Sequence, residues 1–525
     1  MKIALFALLV AVSSAAFAAK PPAPHLTVAV TNIREFTFAW AEATEATTYQ
    51  LWFKASDEAA WVKYTEKPAP RTSITASVAV HLLEWPQARY QLKACNADGC
   101  STSNTVRVNH DEKLDAMGYF KPDGNTNANY FGGVIALSAN GHTMAVLTAE
   151  TSPGSTGQAS IPVAYVYHYN GVRWRFQAKL QASNPQGGTA GVFVGDPIAI
   201  SGNGGVIAFG VGGEGQSGTP QSESGAVYIF RATSLGQWRL SQRLTGNGHI
   251  FDGFGYSLKL DDAGRTLAVT HNYPSATAND SEQGTVEIYR DPTDSSGELF
   301  VPTATLPVPT VQGVKAGCYN ISMSGDGQTL VRGCFAQTPG GGTRLLQVMN
   351  APNWAQSANI QGPYHYAYDL SYDGKVLLMQ TEDAAIVQRL GPSGWVQEAF
   401  LTTFGGLFTG GDHRNIALSR DGKIAALGSI SDVAAGLGPI FTPYSTADSP
   451  SGGVIVHERK STGWVIRRLV KPGSTQDQWA GHAVALGDNG RVMAVGAILE
   501  ASGATGIDGN RDDDSAPSRG AVWLY

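Results

Sequence analysis

The sequence predicts an all-β chain, a β-sandwich followed by a seven-bladed β-propeller. Three observations carry this. First, one short phrase returns seven times: an apolar residue, a small or polar pair, then Asn, Asp or Ala, then Gly, then an apolar run. The copies read LSANGHTMAV at Leu137, ISGNGGVIAF at Ile200, LDDAGRTLAV at Leu260, MSGDGQTLVR at Met323, LSYDGKVLLM at Leu370, LSRDGKIAAL at Leu418 and LGDNGRVMAV at Leu486. Repeats of this kind mark a propeller or a solenoid. Second, glycine is abundant (62 of 525 residues) and charged residues make up only 15%, against about 7% and about 25% in ordinary chains. That composition suits short strands joined by turns. Third, the stretch ahead of the repeats alternates with period two and has no amphipathic helix.

Residues 1–19 form a secretory signal. Lys2 supplies the positive start, Ile3 to Val12 the apolar stretch and Ala16-Phe17-Ala18 the small-residue cleavage pattern. The stretch is short of the about 20 apolar residues that a membrane span needs. A soluble chain outside the cytoplasm is expected, secreted or periplasmic, with no transmembrane segment. The formal net charge of −6 gives no basic footprint, which disfavours nucleic acid as a partner.

Four cysteines in an exported chain read as disulfides. Cys95 and Cys100 flank the turn Asn96-Ala97-Asp98-Gly99, and Cys318 and Cys334 lie symmetrically about Asp326 in the fourth repeat. Each pair faces itself across a hairpin, as the short reach of the bond requires. The expected bridges are Cys95–Cys100 and Cys318–Cys334.

Residues 20–110 form the first domain. FTFAW (Phe36–Trp40) and YQLWF (Tyr49–Phe53) alternate as half-buried strands do, and ARYQLKACNADGCSTSNTVRV closes the domain as a hairpin. At these residues the chain resembles a fibronectin type III domain. Trp40 matches that family's core tryptophan, Tyr49 its third-strand tyrosine, and Leu82 and Tyr90 its corner. Asn96, Gly99 and Ser101 match its A-x-N-x-x-G-x-S ending. The resemblance implies a spacer or adhesive module.

Residues 111–525 form the propeller. A second strand follows each turn glycine. A third begins VAYVYHY at Val163, GAVYIF at Gly225, GTVEIY at Gly284, RLLQVM at Arg344, AAIVQR at Ala384, GGVIVHE at Gly452 and GAVWLY at Gly520. A fourth carries an aromatic with an apolar residue six positions on, from Trp174/Leu180 to Trp464/Val470. The seventh repeat lacks this strand. Leu114 and Phe120 supply the missing pattern, so residues 113–121 are expected to pair beside Gly520–Tyr525 and close the ring. The regular Trp positions read as packing between blades rather than sugar platforms. The Asp-Gly turns differ from the sialidase Asp box, since Gly falls one residue early and the Trp is missing.

The repeats also resemble the FG-GAP repeats of integrin α-subunit propellers and their bacterial relatives. Phe131-Gly132 and Phe254-Gly255 carry the Phe-Gly pair, Val194-Gly195 and Ala480-Gly481 keep the Gly, and repeats four to six lose the pair. This resemblance implies an extracellular binding or adhesive propeller, often with calcium in its loops.

Two candidate sites follow. Residues entering the inner strands lie near the face that carries the second-to-third-strand loops. Asp196, Tyr256, Tyr319, Tyr366, Arg414 and His482, with neighbouring His365 and His413, could ring a channel mouth and bind a sugar or a peptide. They could equally line a wet channel. Asp508, Asn510, Asp512 and Asp514 alternate oxygen ligands suited to Ca²⁺, or form a solvated acidic loop. No compact catalytic signature is present. The leading expectation is a monomeric, non-enzymatic binding or adhesion protein for a protein or glycan ligand. The alternatives are a polysaccharide lyase or glycoside hydrolase working at the channel mouth, and a purely structural envelope protein.

Overall fold

A computed structural model describes residues 19–525 except 56–58, 83–86, 109–114, 125–127, 152–159, 183–197, 215–223, 247–252, 272–283, 293–298, 339, 361–366, 382–383, 403–414, 430–451 and 471–478. The chain divides into two compact units. The first comprises residues 1–31, 35–77 and 83–113, the second 32–34, 78–82 and 114–525. The segment expected to be a signal, residues 1–19, lies outside the described residues apart from Ala19.

The smaller unit is two antiparallel sheets. One holds Thr27–Asn32, Glu35–Ala39 and Ser73–Ser77; the other holds Val62–Pro68, Thr48–Lys54, Arg89–Asn96 and Gly99–Thr102. The alternation read from the sequence sets which side is buried: Phe36, Phe38, Tyr49, Leu51 and Leu92 are all at most 1% exposed. Trp40 packs on Tyr49 at 5.0 Å between ring centroids, and the Tyr49 hydroxyl accepts the Ala43 N–H at 2.9 Å. Cys95 and Cys100 are direct partners in the hairpin and form a disulfide with Cα atoms 4.0 Å apart.

The larger unit is a β-propeller. Its described residues form seven four-stranded antiparallel sheets and one small two-stranded hairpin. The first strands of successive sheets neighbour one another in a closed circuit, in which Ala480–Gly487 of the seventh meets Ala128–Leu137 of the first. The seventh sheet takes its fourth strand from Gly118–Phe120. The register is Val522↔Phe120, Trp523↔Tyr119 and Leu524↔Gly118. Cys318 and Cys334 face each other in the fourth sheet and are bonded, with Cα atoms 3.9 Å apart.

The repeated phrase is a side-chain-clamped hairpin turn. In five repeats the serine after the apolar anchor (138, 201, 324, 371 and 419) accepts the N–H five residues on, at 2.8–3.0 Å. Each of these hydroxyls also reaches the Asn or Asp two residues on. Asp261 replaces the serine in repeat three and accepts the Thr266 N–H at 3.0 Å. Turn glycines such as Gly141 (φ 70°) sit in the left-handed region, which explains the invariant Gly of the phrase.

Successive turns are also tied to one another by backbone hydrogen bonds. Asp488 N–H donates to Ala139, Asn140 to Gly202, Gly202 to Asp262, Asp262 to Gly325, Asp326 to Tyr372 and Tyr372 to Arg420, at 2.8–3.3 Å. They form a belt around one end of the ring.

The Phe-Gly pairs mark the points where one blade docks on the next. Phe131 bridges Gly520 and Phe254 bridges Gly225, both in parallel, as Ala480 bridges Gly452. At the seventh-to-first junction a Cβ on Gly496 would lie 1.8 Å from the Gly132 carbonyl oxygen, and one on Gly520 would lie 2.2 Å from that of Phe131. Gly210, Gly225 and Gly255, and again Gly428, Gly452 and Gly481, repeat this three-glycine contact. The once-per-blade aromatics are packing groups: Trp174 and Trp354 are each 5% exposed and belong to core clusters.

Two outcomes are expected. Gly496→Ala meets backbone rather than a flexible side chain, so thermal or urea unfolding should show a loss at or beyond the about 1–3 kcal/mol typical of overpacking. Deleting Ala521–Tyr525 removes residues that are all fully buried and exposes two strand edges. Its product should lose cooperative unfolding and aggregate, as followed by circular dichroism and size-exclusion chromatography.

Candidate functional site

Three of the eight residues proposed for the channel mouth are described, and five, Asp196, His365, Tyr366, His413 and Arg414, lie outside the described residues. Tyr256, Tyr319 and His482 are half-buried. Tyr319 is the extra residue of a bulge between Cys318 and Asn320, and His482 falls in a similar irregularity between Ala480 and Ala483. The chain entering an inner strand leaves the ladder here to dock on the preceding blade. None of the three is among the residues lining the axial cavity.

The long loop of the seventh repeat is described throughout. It lies beside the strand that closes the ring: Lys121 N–H donates to Gly506 at 2.8 Å, and Asp508 N–H to Tyr119 at 2.7 Å. The four residues proposed for calcium are exposed. Asp508 Oδ1 accepts the Tyr119 N–H at 2.9 Å, and Asn510 Oδ1 accepts the Asp512 N–H at 3.2 Å. It is Asp513, absent from the proposed set, that organises the loop by accepting from Gly503 and Ser515 at 3.0 Å. Among the described residues no three His, Cys, Asp or Glu side chains are gathered as a metal site.

A feature that sequence reasoning missed sits where these loops begin. In repeats one, two and seven a glutamate at or just beyond the end of the second strand accepts a tyrosine hydroxyl and a cation. Glu500 takes Tyr119 Oη at 2.7 Å and the Lys121 ammonium, with both charged side chains at most 2% exposed. Glu150 takes Tyr165 and Lys179. Glu214 takes Tyr228 Oη at 2.8 Å and Arg243 Nε at 3.0 Å. Repeat three builds a variant in which Glu287 meets Tyr289 and His271. Burial pushes the Tyr228 hydroxyl up to about 12. Burial also lowers the Lys121 ammonium, with Glu500 pulling it back. The available signal was a Glu at or just beyond the end of the second strand (Glu150, Glu214, Glu500) in repeats whose strands carry Tyr.

At the ring axis the inner strands enclose a cavity of about 220 Å³ whose polar lining comes from Lys259, Asp262, Tyr368, Asp369, Tyr372 and Arg420. Asp369 Oδ2 is held by the Leu418 N–H at 2.7 Å. At the turn end, Arg420 of repeat six reaches across the ring to the Asp262 carboxylate of repeat three. The Tyr372 ring lies 4.4 Å from the Arg420 guanidinium carbon. Neighbouring turns leave room: a Cβ on Gly325 would come within 2.5 Å of Tyr372, and one on Gly202 within 2.8 Å of Asp262. Burial pushes the Asp262 carboxyl up, against the pull of Arg420.

Comparison with known proteins gives fold-level likeness. No protein-family model matches the chain, and no curated protein matches it. Among solved structures, the β-propeller domain of Cps50 (Swd1) from Myceliophteria thermophila is 10% identical, covering 78% of this chain and 99% of its own, with a TM-score of 0.42. The β-propeller domain of the trilobed protease from Pyrococcus furiosus is 10% identical over 71% and 90%, at 0.38. Sqt1 from Chaetomium thermophilum, bound to the N-terminus of the ribosomal protein L10, is 11% identical over 73% and 85%, at 0.40.

The clusters predict two measurements. Glu500→Gln strands a buried ammonium and should cost about 3–5 kcal/mol, whereas Lys121→Met with Glu500→Leu should recover most of it; a thermal double-mutant cycle reads the difference. His457, 3% exposed, is lowered to about 4 by burial, partly offset by the Thr402 backbone. Below pH about 6.5 the unfolded chain takes up a proton that the folded chain refuses. Stability should therefore fall as pH drops from about 6.5 towards 4, and His457→Leu should flatten that limb in urea titrations.

Proposed function

We propose that this chain is an exported binding protein: a seven-bladed, FG-GAP-like propeller preceded by a fibronectin type III-like sandwich, recognising a protein or glycan through the face that carries its second-to-third-strand loops. The observation that carries this reading is the way the described loop is mounted. Residues 498–520 begin at the fully buried Lys121–Glu500–Tyr119 cluster and run beside the closing strand, with Phe120 bridging Ile507. Below them lies a scaffold locked by glycine junctions and the turn belt. A long polar loop held on a rigid frame suits recognition, because little order has to be imposed on binding. Glutamate posts at the same place in repeats one and two favour the same face. The two disulfides and the signal pattern support an extracytoplasmic setting.

The test is a glycan and polysaccharide array with the mature protein, run with Ca²⁺ and with chelator, beside a variant with residues 503–515 replaced by a Gly-Ser linker. Retained glycan by the native chain and at least about tenfold weaker capture by the variant, equivalent to about 1.4 kcal/mol, is the expected result. Equal capture by both would move recognition off this loop. Loss with chelator would assign calcium to Asp508, Asn510, Asp512 and Asp514, and shortened glycan would replace the reading with a carbohydrate-active enzyme.

A further inference from the structure

We propose that the axial cavity is a second ligand site, for a small molecule that carries a carboxylate on a single six-membered ring, with Asp262 as an internal stand-in for that carboxylate. The site lies at the turn end of the ring, opposite the loop face, and stands independently of the function proposed above.

Arg420 is the anchor. A guanidinium offers five N–H donors in a planar fork that matches a carboxylate. Asp262 takes one bond at Nη2, and Nε is buried with no hydrogen-bond partner among the described residues. A buried donor costs about 1–3 kcal/mol when unmet. A carboxylate with two oxygens free to approach the fork would satisfy what Asp262, tethered to its turn, leaves open. Lys259 adds a second cation to the lining. The Asp369 carboxylate in the same wall is engaged by the Leu418 N–H.

Tyr372 decides the body of the ligand. Its ring lies against the guanidinium yet remains 43% exposed, so it offers a flat surface beside the anchor. Aromatic faces of this kind take the ring of a sugar or an aromatic acid. The space sets the size: about 220 Å³ falls below the about 300–1,000 Å³ of pockets for drug-sized ligands, which leaves room for one ring. The clasp has been given room by Gly202 and Gly325, the smallest residues in the ring of turn positions where Asp262, Tyr372 and Arg420 stand.

The competition between Asp262 and ligand gives the test its sign. Calorimetric titration with glucuronate and with benzoate, against glucose as the neutral control, would use the full mature chain and three variants whose melting temperatures are checked first. The native chain should bind one or both acids and not glucose. Asp262→Asn should bind the acid about tenfold tighter, because the fork is released, and Arg420→Gln should lose it. If Asp262→Asn fails to fold, Tyr372→Ala serves in its place, and should weaken acid binding several-fold. A glucuronate response would identify uronic acids as the source, a benzoate response aromatic acids. The proposal is overturned if neither acid binds the native chain, if Arg420→Gln binds as well as the native chain, or if Asp262→Asn binds more weakly than it.

Discussion

Close approach of backbone to backbone at the blade junctions is the constraint on which the propeller depends. Each sheet must turn its inner strand into the next before its outer strands splay apart. At three junctions this brings three glycines into contact, with Gly496, Gly520 and Gly132 as one set. A side chain at these points has nowhere to go, since the obstacles are carbonyl oxygens rather than movable groups. The inner ends are then fixed twice, by these junctions and by the turn belt from Asp488 to Arg420. The hydrophobic layers between blades fill the space that this geometry defines.

Charge is placed in a way that uses this rigidity. Lys121 and Glu500 are almost wholly removed from water, an arrangement that desolvation makes costly unless geometry is good. The tyrosine hydroxyl and the backbone around them supply that geometry. Since this cluster joins the closing strand to the loop of the seventh repeat, the same interaction secures the ring and positions the loop. The axial clasp is the opposite case: Arg420 and Asp262 meet where water can still reach them, and one guanidinium donor is left unmet.

Much of the fold was legible because the repeated phrase encodes a turn with a fixed chemistry. Ser138, Asn140 and Gly141 each have a local job, so the pattern could be read without knowing what lay around it. The closing strand was legible for the same reason: Phe120 stands at the spacing that the seventh repeat lacked and pairs with Val522, while Leu114 lies outside the described residues. The cysteine pairings followed from symmetry about a turn, and both bonds are present. The sites were harder. The spacing of Asp508 within its loop gave no hint that its carboxylate accepts the Tyr119 N–H, which is remote in sequence. Arg420 and Asp262 occupy the turn position that varies most, and only ring closure brings repeat three opposite repeat six. Spacing within one repeat carries no information about such a pair.

The closing sheet joins Gly118–Phe120, among the earliest strands of the propeller, to Ala521–Leu524, the last strand of the chain. Contacts that span such a separation form late, because the loop-closure entropy must be met before they give anything back. The early strand therefore has to wait, with an apolar edge exposed, until the whole propeller sequence has emerged. A product that stops short of Ala521, however many sheets it holds, leaves Gly118–Phe120 without the strand it pairs with.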